Sequence, residues 1–191
     1  MTSFYTEQEL AALGFKHCGK NVSISRKASF YGAERMSIGD YARIDDFCIL
    51  SGSITLGKYA HICASTLLFA GDAGIVLEDY VGISSRCAVY AISDDYLGTG
   101  MGISTVPMEY RNLTAARVVF RKHALVGTGC TVLPGVEIAE GTSVGSMSFL
   151  NHSTEPWSVY YGIPARKYCD RKRDMLNVCR QFEENRKIQS E

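Results

Sequence analysis

The chain carries no net charge, because 20 Lys and Arg balance 20 Asp and Glu over 191 residues. Nothing global therefore draws it to nucleic acid or to an anionic membrane, and a phosphate-bearing ligand has to be met by a local cluster. It has no apolar run approaching the length of a membrane span and no basic-plus-apolar leader, so neither membrane insertion nor export is expected. Its seven cysteines are an odd number with no CxxC pair. Reduced thiols in a cytoplasmic protein are expected, with disulfides and a structural metal disfavoured. The length suits one domain with a continuous core.

What is present is a period of six. Phe120, Val126, Val132, Ile138, Val144 and Leu150 each follow the last by six residues, and small or apolar residues (Ala124, Cys130, Val136, Thr142, Ser148) stand two before each later rung. The same register runs through Ile38, Ile44, Leu50, Leu56, Ile62 and Leu68, and again through Leu77, Ile83 and Val89. A helix repeats at 3.6 and a strand at 2. Six is the repeat of a β-solenoid with a triangular coil, one rung on each short side, stacked at about 4.8 Å with parallel hydrogen bonds. Cys48, Cys87 and Cys130 fall in its small inward slots, as core hydrophobes.

Along the chain, Thr6 and Glu9 form a capping box for a short helix, with Leu10, Leu13 and Phe15 as its apolar stripe, expected to lid the first coil. Residues 1–18 are expected to form this cap and 19–168 the solenoid. Residues 169–191 are expected to form a C-terminal helix, with Met175, Val178, Cys179, Phe182 and Ile188 at helical spacing. The ladder lapses between Val89 and Phe120. The stretch 93–117 (SDDYLGTGMGISTVPMEYRNLTAAR) has no period, and loops this long in compact domains are usually functional.

The ladder, this loop, the VGTGCTVLPGVEI stretch at 126–138 and YGIPARK at 161–167 resemble the left-handed β-helix (hexapeptide-repeat) acyltransferases over about residues 19–170. The resemblance implies an all-β, left-handed parallel β-helix with an inserted loop and short terminal helices. It also implies a homotrimer with active sites between subunits, and acetyl-CoA or another short acyl-CoA as co-substrate without a metal. O-acetylating members carry a catalytic histidine in the segment matching Ala91–Tyr96, where this chain reads AISDDY. A hydroxyl needs a placed base, whereas a neutral amine attacks a thioester with less help. With SDDY and VPMEYRN at 93–96 and 106–112, the chain is most similar to N-acyltransferases of nucleotide-linked 4-amino-4,6-dideoxy sugars, which serve surface polysaccharide synthesis.

On that reading Asp94 and Glu109 are the candidate catalytic acids, and His123, at a coil corner after the loop, is a third candidate for proton transfer. Ser84, Asp95, Tyr110 and Asn112 are candidate sugar contacts, and Arg86 suits a pyrophosphate through its fork of donors. Gly127, Gly129, Gly145 and Ser146 leave room for an extended pantetheine arm. The backbone amide of Gly127 or its neighbour is a candidate donor to the thioester oxygen. Arg166 and Lys167 match the family's basic pair near the nucleotide phosphates. Two alternatives stand: an O-acetyltransferase using His123 or a carboxylate as base, and a non-catalytic solenoid scaffold. The related-coil carbonic anhydrases hold zinc with three histidines. Here His61 is the only histidine in the regular upstream coils and no pair has ligand spacing, so no metal is expected.

Overall fold

All fifteen rungs from Ile38 to Leu150 are buried, and so is the residue two before each. A computed structural model describes residues 3–188. The chain winds as a parallel β-solenoid of about 7 turns, each coil giving one short strand to each of three sides. The first side stacks Ser29–Tyr31, the starts of Ile49–Leu56 and Leu67–Leu77, then Ala88–Tyr90, Thr131–Val132 and Phe149–Leu150. The second runs from His17–Cys18 through Met36–Ile38 and the ends of the two long strands to Val118–Phe120 and Glu137–Ile138. The third runs from Ser23–Ile24 through Arg43–Ile44, His61–Ile62, Gly82–Ile83, Leu125–Val126 and Ser143–Val144 to a closing hairpin, Ser158–Gly162 with Ala165–Asp170.

Each coil turns three corners, and a corner needs a residue in the left-handed region. Between the second and third sides that place falls three residues before the rung. It is held by Asn21 on the first coil and then by Tyr41, Tyr59, Tyr80, His123 and Trp157, with φ between 53° and 63°. A non-glycine residue there costs about 1 kcal/mol or more. The rings offset part of this by stacking in a column: Tyr41 on Tyr59 at 4.8 Å, Tyr59 on Tyr80 at 5.2 Å and Tyr80 on His123 at 5.2 Å. Gly141 occupies the remaining step because Trp157 fills the space, where a Cβ would lie 2.6 Å from Trp157 Cε2. Gly141→Ala should therefore displace the indole and destabilise the protein by about 1–3 kcal/mol. Denaturant unfolding checks this, and an unchanged midpoint would contradict it.

The ends are covered. Helix α1 (Glu7–Ala12) is capped by Thr6 with Glu9 reciprocating, buries Leu10, and Phe15 meets Phe30 edge-on at 5.1 Å. Helix α2 spans Met175–Ile188, so residues 169–174 of the expected C-terminal helix are not helical. Arg171 instead extends the hairpin, its N–H bonding Trp157 O and its guanidinium the carbonyls of His123 and Gly141. Helix α2 lies on the aromatic column of its own solenoid. Phe182 meets Tyr59, the Tyr80 hydroxyl donates to Glu183 at 2.7 Å, and Arg186 stands 4.3 Å over Tyr41. The last three residues lie outside the described residues. Among the described residues no helix is long and apolar enough to cross a membrane.

Candidate active site

The loop leaves the solenoid at the end of the first side. Ile92–Ser93 pairs antiparallel with Thr114–Ala115 and closes the neck of the excursion 94–113. Within it Asp95 acts as a clasp. Its carboxylate accepts from the Thr99 hydroxyl and from the N–H groups of Leu97, Thr99 and Gly100, at 2.6 to 2.7 Å. These bonds, the Thr99 hydroxyl foremost, hold its pKa down at about 2. A depressed carboxyl stabilises the fold while ionised, so the clasp is complete above about pH 4 and is lost as pH falls toward 2. Asp95→Asn should loosen the loop at neutral pH. Faster amide exchange at Leu97, Thr99 and Gly100 checks this, and unchanged exchange would contradict it.

Asp94, the next residue back, points the other way. It accepts at 2.7 Å from Arg111 Nη2, whose side chain is 12% exposed and whose Nε is buried without a partner. The pair lines a cavity of about 660 Å³ with Ser93, Tyr96 and Ser104, against an outward wall of Phe69, Tyr90, Leu133 and Phe149. Phe69 and Tyr90 stack at 5.4 Å on successive coils. An apolar, aromatic wall with one carboxylate at its rim accepts a flat or ring-shaped ligand and orients a positively charged or hydrogen-bond-donating group.

The other candidate residues lie elsewhere on the coil. Ser84 is half-buried at the far end of the third side, its N–H on Val126 O. It does not line the loop cavity. The first side between Arg86 and Ile92 spans roughly 20 Å of extended chain. Arg86 is exposed at a corner with φ 59° and makes no ion pair among the described residues. The Gly127 amide is not free for a thioester oxygen, because it donates to Val144 O at 2.8 Å in the ladder between coils. The next corner residues, Thr128 and Ser146, have N–H groups with no acceptor among the described residues. The glycines fit tight stacking: a Cβ on Gly127 would lie 2.6 Å from Ser146 N, on Gly129 2.5 Å from Met147 Sδ, and on Gly145 2.9 Å from Tyr161 Cβ. Of the basic pair, Lys167 is bound by Asp170 and Glu155 at 2.8 and 2.9 Å, while Arg166 is exposed and its guanidinium donates to the carbonyl of Ala165, its one side-chain bond among the described residues.

Three expected loop contacts face away from the cavity. Glu109 and Tyr110 are exposed on the short turn Met108–Tyr110, and the Asn112 amide donates to the Thr99 hydroxyl. His123 is buried in the aromatic column at the corner opposite Gly129, and burial, foremost, lowers its pKa. Its place is set by the left-handed corner that stacks its ring on Tyr80, and it lines neither the loop cavity nor the Ser84 edge. Arg111, Phe69 and Tyr90 were not singled out in the sequence. The signal for the last two was there, as aromatics one residue after the rungs Leu68 and Val89, on the side a solenoid turns to solvent.

No profile of a known protein family matches the chain. Over 179 residues, 92% of this chain and 93% of the relative, it is 38% identical to a dTDP-4-amino-4,6-dideoxy-D-glucose acyltransferase of Escherichia coli. The chain belongs to the hexapeptide-repeat N-acyltransferases of nucleotide-linked amino sugars. The N-acyltransferase AntD of Bacillus cereus, solved with dTDP and 3-hydroxybutyryl-CoA, is 43% identical with a TM-score of 0.95, covering 98% of this chain and 100% of AntD. AntD has also been solved with a serine replaced by alanine, bound to dTDP-4-amino-4,6-dideoxyglucose and coenzyme A, at the same identity and TM-score over 97% of this N-acyltransferase and 100% of AntD. A maltose O-acetyltransferase of Clostridium difficile, 13% identical with a TM-score of 0.58 over 86% of this chain and 74% of its own, shares the fold alone. The resemblance drawn from the ladder, loop and YGIPARK segment is borne out, as is acyl-CoA-dependent N-transfer as the class of chemistry.

Proposed function

We propose that this N-acyltransferase moves a short acyl group, acetyl or one such as 3-hydroxybutyryl, from coenzyme A to the 4-amino group of dTDP-4-amino-4,6-dideoxyglucose. The reaction takes place in clefts between the subunits of a cytoplasmic homotrimer and serves surface polysaccharide synthesis. The observation that carries the reading is the full-length match to AntD at 43% identity, whose complexes contain that sugar nucleotide and coenzyme A. The Asp94 cavity with no histidine in it supports an amine acceptor.

The loop cavity receives the amino sugar. The Asp94 carboxylate, held by Arg111, accepts a hydrogen bond from the amine and aims its lone pair. The coil edge at Ser84 on a neighbouring subunit supplies the thioester, whose oxygen meets the free Thr128 N–H in place of the committed Gly127 amide. The amine attacks the carbonyl carbon, a C–N bond forms as the C–S bond breaks, and coenzyme A leaves as its thiol with the proton the amine gives up. Arg86 and Arg166, both exposed, are placed for phosphates. The separation of Ser84 from Asp94 within one chain is the reason a second copy is needed.

Thiol release from acetyl-CoA and 3-hydroxybutyryl-CoA, measured with the amino sugar nucleotide and with its 4-hydroxy counterpart, tests the reading. Turnover with the amine at least 100-fold above the hydroxyl is expected. Comparable turnover of the hydroxyl acceptor would overturn it.

A further inference from the structure

Three side chains outside the transfer site converge on the third side of the prism. His61 Nε2 lies 3.0 Å from Asp45 Oδ2, and Cys63 Sγ lies 3.7 Å from His61 Nε2. One donor atom from each falls within 4.8 Å of the others. The coil geometry makes the cluster. His61 and Cys63 flank the inward rung Ile62, so both point outward, and the pairing of Arg43 with His61 sets Asp45 level with Cys63 on the adjacent coil. Arg43 Nε holds Asp45 Oδ1 at 2.7 Å and leaves Oδ2 facing the imidazole.

A tetrahedral zinc ion, with bonds of about 2.0 Å to nitrogen and oxygen and 2.3 Å to sulfur, holds its ligand atoms roughly 3.3–3.7 Å apart. The spacings from His61 Nε2 to Asp45 Oδ2 and to Cys63 Sγ, 3.0 and 3.7 Å, differ from these by a few tenths of an ångström; Sγ also lies 3.8 Å from Nδ1, so a turn of the Cys63 side chain is what brings it in front of Nε2. Imidazole, thiolate and carboxylate together suit zinc or cobalt over a hard ion such as magnesium. All three residues are half-buried, which leaves a fourth position open to water.

We propose that Asp45, His61 and Cys63 form a binding site for a thiophilic divalent ion of the zinc class. The ion is not a participant in the transfer. On binding, the Nε2 proton that faces Asp45 moves to Nδ1 and the Cys63 thiol proton goes to solvent, so three coordinate bonds form as the His61–Asp45 hydrogen bond and the weak contact of the thiol with the imidazole are lost. The pairing of His61 with Gly82 sets Cys63 level with Ser84 about 4.8 Å along the stack. A filled site puts a dication beside the transfer edge and slows the reaction. That consequence rests on the function proposed above, whereas the binding does not.

Cobalt(II) added to the full chain tests the binding directly. One equivalent should give the near-ultraviolet thiolate-to-cobalt band and the visible bands of a tetrahedral site. Cys63→Ser should abolish the near-ultraviolet band, and His61→Gln should weaken binding by at least tenfold, both variants being checked for an unchanged thermal melt. Because the chain has seven cysteines, a band of equal intensity in Cys63→Ser would overturn the assignment, as would no band in the unaltered protein. Zinc should slow acyl transfer by the unaltered protein and spare Cys63→Ser, and equal inhibition of both would overturn the link to the reaction.

Discussion

Asp94→Asn should lower turnover with the amino sugar by about a hundredfold while leaving the KM for acyl-CoA within about twofold. Asparagine keeps the shape of the side chain and one oxygen for Arg111, so the cavity survives. The negative charge does not, and two things follow from its loss. The substrate amine no longer finds an acceptor that favours its attacking orientation and balances charge growing on nitrogen. The Arg111 guanidinium, 12% exposed with its Nε already without a partner, becomes a desolvated cation without a counter-charge. Steady-state kinetics with both substrates varied reads the outcome. A kcat unchanged beside a raised KM for the sugar would make Asp94 a binding contact only and contradict the orienting role.

The largest effect on stability should come from Phe120→Ala, at about 3–5 kcal/mol. Phe120 is fully buried at the first rung after the loop returns, paired with Leu77 on one coil and Ile138 on the next. The stacked backbones on either side are tied by ladder hydrogen bonds and cannot collapse to refill a benzyl-sized void. For a chain of this size the loss corresponds to a fall in Tm of about 6–20 °C. Phe120→Leu, which retains most of the volume, should lose less than half of that. A Tm within 2–3 °C of the unaltered protein for Phe120→Ala would mean that the rung is not a core position.

The solenoid was legible because its inward positions have to be apolar at every sixth residue, whatever the partners are. The loop was legible as the place where that demand stops. Its inner arrangement was harder to read. Asp94 and Asp95 are neighbours of one type, yet one faces the cavity and the other ties Leu97, Thr99 and Gly100. The choice between them depends on Arg111, 17 residues on, and on which way the loop folds back. His123 was drawn toward chemistry by its position after the loop. The position three before each rung, held by Tyr41, Tyr59 and Tyr80 on other coils, was the available signal that it belongs to a packed column. The choice between the Gly127 amide and its neighbour's was not legible, because a glycine at a corner looks open in sequence, whereas the ladder between coils takes the Gly127 N–H. Asp45, His61 and Cys63 showed no ligand spacing along the chain because two of the three are brought level only by stacking.

The central claim is that Asp94 of one subunit works with Ser84 of another, and mixing inactive subunits tests it most directly. Protein carrying Ser84→Ala and protein carrying Asp94→Ala, each strongly impaired alone, are unfolded together in equal amounts, refolded and assayed. Sites shared between subunits predict that random mixing rebuilds intact pairs at about a quarter of the interfaces and returns a matching share of the unaltered activity. Activity no higher than the average of the two separate preparations, in a mixture shown to contain hybrid oligomers, would contradict it.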